Sequence, residues 1–258
     1  MTSTVSAAGH TGRRNDSAPA PLLGATGLSK AFGETHALRS ADISLDAGEL
    51  VAVMGPSGSG KSTLLHCLAG IFRPDTGQIT YAGRRIDGLS DDARSLLRRT
   101  EFGFVFQFGQ LVPELSAAEN VSLPLLLGGH KRRAALAAAN RWLSRFDLDG
   151  MGDRRPGELS GGQAQRVAVA RAMVTEPRVI FTDEPTGSLD TAAGTAVLEA
   201  FTSAARTHHV AVVIVTHEAR VAAYADRTVI VRDGHVKSPA APTATSGSDE
   251  SSRQGRTR

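Results

Sequence analysis

Cysteine is all but missing from this chain: Cys67 is the only one in 258 residues. An internal disulfide is therefore excluded, and a reducing compartment fits. Cys67 falls in a run that reads as helix, where a buried, inert thiol is the simpler reading than a reactive one. Long apolar runs are missing as well. A stretch such as Val210-Ala211-Val212-Val213-Ile214-Val215 falls far short of the roughly 20 residues that cross a bilayer as a helix. Met1 to Ala20 has no apolar core, so no secretory signal is expected there. Lysine is scarce too: the 29 basic residues include only Lys30, Lys61, Lys131 and Lys237 as lysines. No repeat of fixed period is visible between the two ends.

Net charge is low, and its location decides what it implies. The formal value is +3. Residues 1–22 hold Arg13 and Arg14 against Asp16, and residues 237–258 hold Lys237, Arg253, Arg256 and Arg258 against Asp249 and Glu250. The two ends carry the whole excess and residues 23–236 balance, so no basic nucleic-acid groove is expected in the folded part. Both ends are rich in Ser, Thr, Ala, Gly and Pro with almost no large apolar residues, and are expected to be disordered tails. A content of 41% hydrophobic and 21% charged residues is that of a globular protein, and the length suits one large α/β domain with a smaller insert.

Along residues 23–236 the first part mixes strands and turns. Ala37 to Leu45 alternates in strand fashion, Asp46-Ala47-Gly48 turns, and Leu50 to Met54 reads as a buried strand. Gly77 to Gly83 and Phe102 to Phe106 read as further strands, with a short helix from Ser90 to Arg99 between them. The middle is helical: Ala118 to Leu127, Lys131 to Phe146 and Ser160 to Val174. Strands return at Arg178 to Thr182, Val210 to Val215 and Thr228 to Val231, with a helix from Thr191 to Arg206 between the first two. A sheet core interrupted by a helical insert, about residues 115–175, is the expected architecture.

The densest chemical signal is Gly55-Pro56-Ser57-Gly58-Ser59-Gly60-Lys61-Ser62, between the buried strand and a helix carrying Leu64, Leu65 and Leu68. Its glycines let successive backbone N–H groups turn toward phosphates, and the helix aims its positive end at the same charge. Lys61 is placed to reach the β- and γ-phosphates, and the Ser62 hydroxyl to ligate Mg²⁺. Val179 to Glu184 is an apolar strand ending in two carboxylates. Adjacent residues point in different directions, so Asp183 suits the metal and Glu184 an attacking water. Leu159-Ser160-Gly161-Gly162-Gln163 reads locally as a capping box opening the helix that carries Val167, Ala170, Arg171 and Val174. The box accounts for Ser160 and Gln163 but not for Gly161 and Gly162, which point to a second helix end offering N–H groups to an anion.

With these motifs in this order, residues 23–236 resemble the nucleotide-binding subunit of an ABC transporter. The resemblance implies an α/β P-loop NTPase fold of RecA-like type, with a mixed sheet core, an inserted helical subdomain and an antiparallel β region. It also implies a homodimer or heterodimer of ATPase subunits, each ATP lying between the phosphate loop of one and the LSGGQ of the other. Carried over by position, Lys61, Ser62 and Thr63 grip phosphate and Mg²⁺, Asp183 is the Mg²⁺ ligand and Glu184 the catalytic base. Gln107 matches the glutamine between sheet core and helical region that touches Mg²⁺ or the attacking water. Asp190, within Gly187-Ser188-Leu189-Asp190, matches the loop crossing the dimer interface, and His217 matches the histidine at the γ-phosphate. Phe32 takes the place of an aromatic that stacks on adenine, with a core position as the competing reading.

Leu115 to Gly128 and Asp183 to Asp190 are similar to the branch serving lipoprotein release, macrolide efflux and antimicrobial-peptide resistance. That likeness implies a separately encoded integral membrane permease and a cytoplasmic ATPase peripheral on the inner face of the plasma membrane. Gly109 and Gln110 depart from the branch's pattern in the segment that faces the permease. Two rivals remain at this level. A soluble ATPase acting on ribosomes or DNA is disfavoured by a single ATPase unit, no heptads and a neutral core. A signalling module, whose permease gates an external activity without transport, would carry the same ATPase sequence.

Overall fold

The computed structural model describes residues 20–107 and 109–237. The two expected tails lie almost wholly outside the described residues. At their inner edges Leu22 is buried and Lys237 pairs with Ile230, so the packed region reaches one residue further at each end than composition places it.

Six strands form the main sheet. β3 (Leu50–Met54), β6 (Phe102–Phe106), β7 (Val179–Asp183), β8 (Ala211–Val215) and β9 (Arg227–Arg232) run parallel in the order β9-β3-β8-β7-β6, and β10 (His235–Lys237) adds antiparallel to β9. β3, β7 and β8 are apolar nearly throughout because both faces of the sheet are covered; every residue of β8 is buried. A second sheet is antiparallel, in the order β2 (Thr35–Leu45), β1 (Leu23–Phe32), β4 (Thr76–Tyr81) and β5 (Arg84–Arg85).

The helix α1 (Lys61–Leu68) lies between the sheets. Its Leu64, Leu65 and Leu68 share one core with Leu28 and Leu38 of the second sheet and Val51 and Val53 of the first. Cys67 sits in that core, where burial pushes its thiol up to about 12, so it is an inert packing residue. On the opposite face of the main sheet, α3 (Ala117–Leu127), α4 (Arg132–Arg145), α5 (Gly161–Met173) and α6 (Thr191–Thr207) bury a second core around Trp142, Phe146, Val167 and Phe201. The helix α5 packs against α3 and α4 on one side and β6 and α6 on the other, so it belongs to the helical insert and the sheet core at once. α2 (Asp91–Thr100) starts at Ser90, whose hydroxyl accepts from Ala93 N as an N-cap, and α7 (Ala219–Ala222) is a single turn after β8.

The periodicity reading assigns no strand before Ala37, yet β1 is ten residues long and central in its sheet. Its register shifts repeatedly between Ala25 and Ala31. Each irregularity moves side chains to the other face and erases the alternation by which a strand is recognised. β5, β10 and α7 are too short to carry a period at all.

Candidate functional site

The glycine loop leaves β3 and enters α1. Gly55 has φ 153 and Gly60 φ 105; a Cβ on Gly55 would lie 2.0 Å from Val231 O, and one on Gly60 2.2 Å from Ala37 O. Both positions therefore require glycine, because the loop is pressed against β9 on one side and β2 on the other. Gly60 is also the N-cap of α1 and provides no side-chain acceptor, and no acidic residue sits in the first turn. The first N–H groups of α1 are thus left for an anion, with the helix dipole behind them. Pro56, Ser57, Gly58 and Ser59 complete the loop, and Thr63 sits half-buried in the first turn of α1. Lys61 Nζ donates to Gly55 O at 2.9 Å and Pro56 O at 2.8 Å, so its ammonium lies folded over the loop.

Strand order brings the carboxylates to this loop. β3 and β7 both flank β8 and run parallel to it, so their C-terminal ends lie at the same edge of the sheet, one strand apart. There Ser62 Oγ donates to Asp183 Oδ2 at 2.8 Å. Glu184 turns the other way. It is a non-glycine residue at φ 48, a left-handed conformation costing about 1 to 2 kcal/mol. Its Oε1 lies 2.6 Å from His217 Nδ1 and accepts from His217 N at 3.1 Å, while Oε2 accepts from Thr216 Oγ1 at 3.2 Å. The Glu184 carboxylate holds the His217 imidazole above its usual pKa, by hydrogen bond first and charge second.

A hydroxyl and one carboxylate in contact fit Mg²⁺, a hard cation that takes oxygen donors and keeps substrate phosphates and waters in its shell. Among the described residues no cluster of three or more His, Cys, Asp or Glu offers an all-protein metal cage.

Gln107 follows β6 at the adjacent sheet edge. Its carbonyl accepts from Ser188 Oγ at 2.8 Å, and its Nε2 lies 2.9 Å from where a Gly187 Cβ would stand, so Gly187 leaves room for the amide. The LSGGQ segment opens α5 with the expected box: Gln163 N donates to Ser160 Oγ at 3.3 Å, and Ser160 N to Gln163 Oε1 at 2.9 Å. Of the two glycines that the box leaves unexplained, Gly161 also has a packing reason. A Cβ on Gly161 would meet Leu189 Cδ2 at 3.2 Å, and one on Gly162 would meet Ala193 Cβ at 3.4 Å. Asp190 N-caps α6, accepting from Ala193 N at 2.9 Å, which gives it a complete local role. Phe32 is 48% exposed rather than a core residue. Its ring is held edge-on by Phe72 at 5.5 Å and lies 5.6 Å from Lys30 Nζ.

Several supporting residues escape sequence reasoning. Phe72 behind Phe32 and Thr216 on Glu184 meet their partners only through the fold. Arg171 and Gln165 of α5 bond the backbone around Gln107. Arg171 did leave a signal, since it is a charged residue in the apolar stripe of Val167, Ala170 and Val174.

A glycine loop opening into an uncapped helix between parallel strands, with a carboxylate strand end against the helix's first hydroxyl, defines a P-loop NTPase. Residues 38–187 match the family model described as ABC transporter. The lipoprotein-releasing system ATP-binding protein LolD 2 of Caulobacter vibrioides is 43% identical over 221 residues, covering 84% of this chain and 97% of the relative. Among solved structures, the dimeric ATP-binding cassette MJ0796, in a post-hydrolysis state bound to ADP and Pi, superposes with TM-score 0.76 at 34% identity, covering 83% of this chain and 96% of that one. The cassette cbiO1 from Clostridium perfringens, part of the ABC transporter complex cbiONQ, gives 0.77 at 28% identity over 84% and 87%. The chain belongs to the ATP-binding subunits of ABC transporters and is an ATPase of that family.

Proposed function

We propose that two ATPase subunits, two copies of this chain or one with a related subunit, close on two ATP molecules and drive a separately encoded membrane permease. The contact of Ser62 with Asp183, beside the contact of Glu184 with His217, is the observation that carries this reading. It supplies a cation-binding oxygen pair and a separate base within one cluster. In this reading residues 55–63 hold the phosphates, and Ser62, Asp183 and Gln107 hold Mg²⁺. Bound there, the cation would neutralise charge on the β- and γ-phosphates. Glu184 accepts the proton of the attacking water, and His217 holds Glu184 in place and faces the γ-phosphate. Gln107 orients the water, and Phe32 stacks on the base. Ser160 to Gln163 and Asp190 act across the interface, on the ATP of the other subunit.

The likeness to a lipoprotein-releasing ATP-binding protein favours a lipoprotein, peptide or drug-like cargo moved outward, with this subunit cytoplasmic on the inner face of the plasma membrane. The permease contact falls to Gly109 to Pro113. Arg171, which bonds Gly109 and Gln110, also lines a groove where Leu127 is 64% exposed and Ile71 37%.

Glu184→Gln tests the reading. The variant should bind Mg-ATP normally, lose roughly 100-fold or more in turnover, and elute as a dimer on size-exclusion chromatography with ATP. A variant that stays monomeric at every ATP concentration, with the permease present, would overturn the two-subunit arrangement.

A further inference from the structure

The segment that departs from the branch's pattern is fastened to the LSGGQ helix. Gly109 and Gln110 are consecutive left-handed residues, with φ 65 and 46, and Gly109 N donates to Phe106 O at 3.0 Å. Arg171 Nη1 donates to Gln110 O at 2.8 Å and its Nη2 to Gly109 O at 2.6 Å. Gln165 Nε2 reaches Phe106 O at 3.0 Å. The backbone is thus gripped on both sides of Gln107 by one helix, while Ser188 holds Gln107 O from the opposite side. Among the described residues Arg171 has no carboxylate partner. Burial pulls its pKa below the usual arginine value. An apolar residue would fill this stripe without that desolvation cost, so what the guanidinium adds is the two carbonyl contacts. From Gly161 to Arg171, α5 is a continuous helix roughly 15 Å long.

We propose that Arg171 is a positioning residue for hydrolysis: it ties the Gln107 loop to α5, so that the LSGGQ end and the Gln107 amide move as one body. The inference rests on the reading of Gln107 given above. When the LSGGQ end meets the other subunit's nucleotide, the shift of α5 carries Gln107 with it. Arginine offers the two carbonyls separate donors in a rigid fork, whereas a lysine ammonium at position 171 would be a point charge on a flexible stem and would hold the loop less firmly.

The test is a double-mutant cycle on the full-length chain, read by single-turnover Mg-ATP hydrolysis, which resolves low residual rates. Arg171→Met should lower the hydrolysis rate roughly 10- to 100-fold while leaving the half-saturating ATP concentration unchanged. Arg171→Lys should fall between. In a Gln107→Ala background neither substitution should lower the rate further, because the residue through which Arg171 acts is gone. Equal fold losses in both backgrounds would overturn the tether while leaving the Gln107 reading standing. A normal rate for Gln107→Ala alone would overturn that reading, and the inference with it. If thermal melting shows Arg171→Met to be unfolded, the Arg171→Lys arm of the cycle decides the matter by the same criterion.

Discussion

The N-termini of α1 and α5 both carry motif glycines, and they are built in opposite ways. α1 opens on Gly60 with no side-chain cap, whereas α5 opens on Ser160 and Gln163, which satisfy each other's backbone donors. α2, α3 and α6 are each capped by a serine or aspartate side chain, and α4 and α7 start bare on extended residues, so only α1 combines a bare start with a left-handed glycine among the described helices. An uncapped start leaves its donors for a ligand and gives up the roughly 1 kcal/mol a cap contributes. A capped start is stable with no ligand present and still leaves the N–H groups of its first two residues free. The cradle is therefore shaped to receive an anion within its own chain. The LSGGQ end is a finished helix, suited to being carried to an anion held elsewhere.

Replacing a glycine by alanine at each end tests this contrast, and Gly60→Ala should have the largest effect. Its Cβ would collide with Ala37 O in a left-handed backbone, so a loss of at least about 2 kcal/mol is expected in urea melts, together with loss of nucleotide binding. Gly162→Ala should do the reverse to stability. Alanine is the better helix former by up to about 1 kcal/mol, and Ala193 stands at ordinary contact distance. In the proposed two-subunit arrangement turnover should fall nonetheless, since a methyl group set against Ala193 of α6 crowds the first turn of α5 that the other subunit's phosphate would approach. Unchanged turnover would remove Gly162 from the proposed interface.

Ser160→Arg comes next. It removes a cap, at a cost of about 1 kcal/mol, and places a bulky side chain on the face assigned to the partner. Calorimetric ATP binding by the monomer should be unchanged while turnover by the dimer stops. Loss of monomer binding would mean that the two ends are not separable as argued. The smallest effect concerns His217, which is 67% exposed. Glu184 raises its pKa above 6.5. Protonation is thus favoured in the folded state, and the pairing adds stability below about pH 6.5 that fades as pH rises through the elevated folded value. An NMR titration of the imidazole should show that elevation, and Glu184→Gln should return it toward 6.5.

Legibility in the sequence followed chain separation. The buried strands β3, β7 and β8 and the helices α3 to α6 were readable because their hydrophobic period is local, whereas β1 was hidden by its bulges. The exposure of Phe32 removes the core reading. Gly161, read with Gly162 as an anion donor, proved also to be a spacer against Leu189, a neighbour that no local pattern announces.

What the chain's own order of residues determined was the set of parts: a glycine loop between strand and helix, a strand ending in two carboxylates, a capping box followed by an apolar stripe. Each is a short-range pattern, written in backbone geometry and the period of one element. What only the tertiary structure decided was which parts meet. Ser62 and Asp183 lie 121 residues apart, Glu184 and His217 lie 33 apart, and Arg171 lies 62 from Gly109. Their contacts follow from the order β3-β8-β7-β6 and from α5 packing on β6. That order is set by the burial of whole faces against one another, a property of the packed molecule that no local window of residues contains.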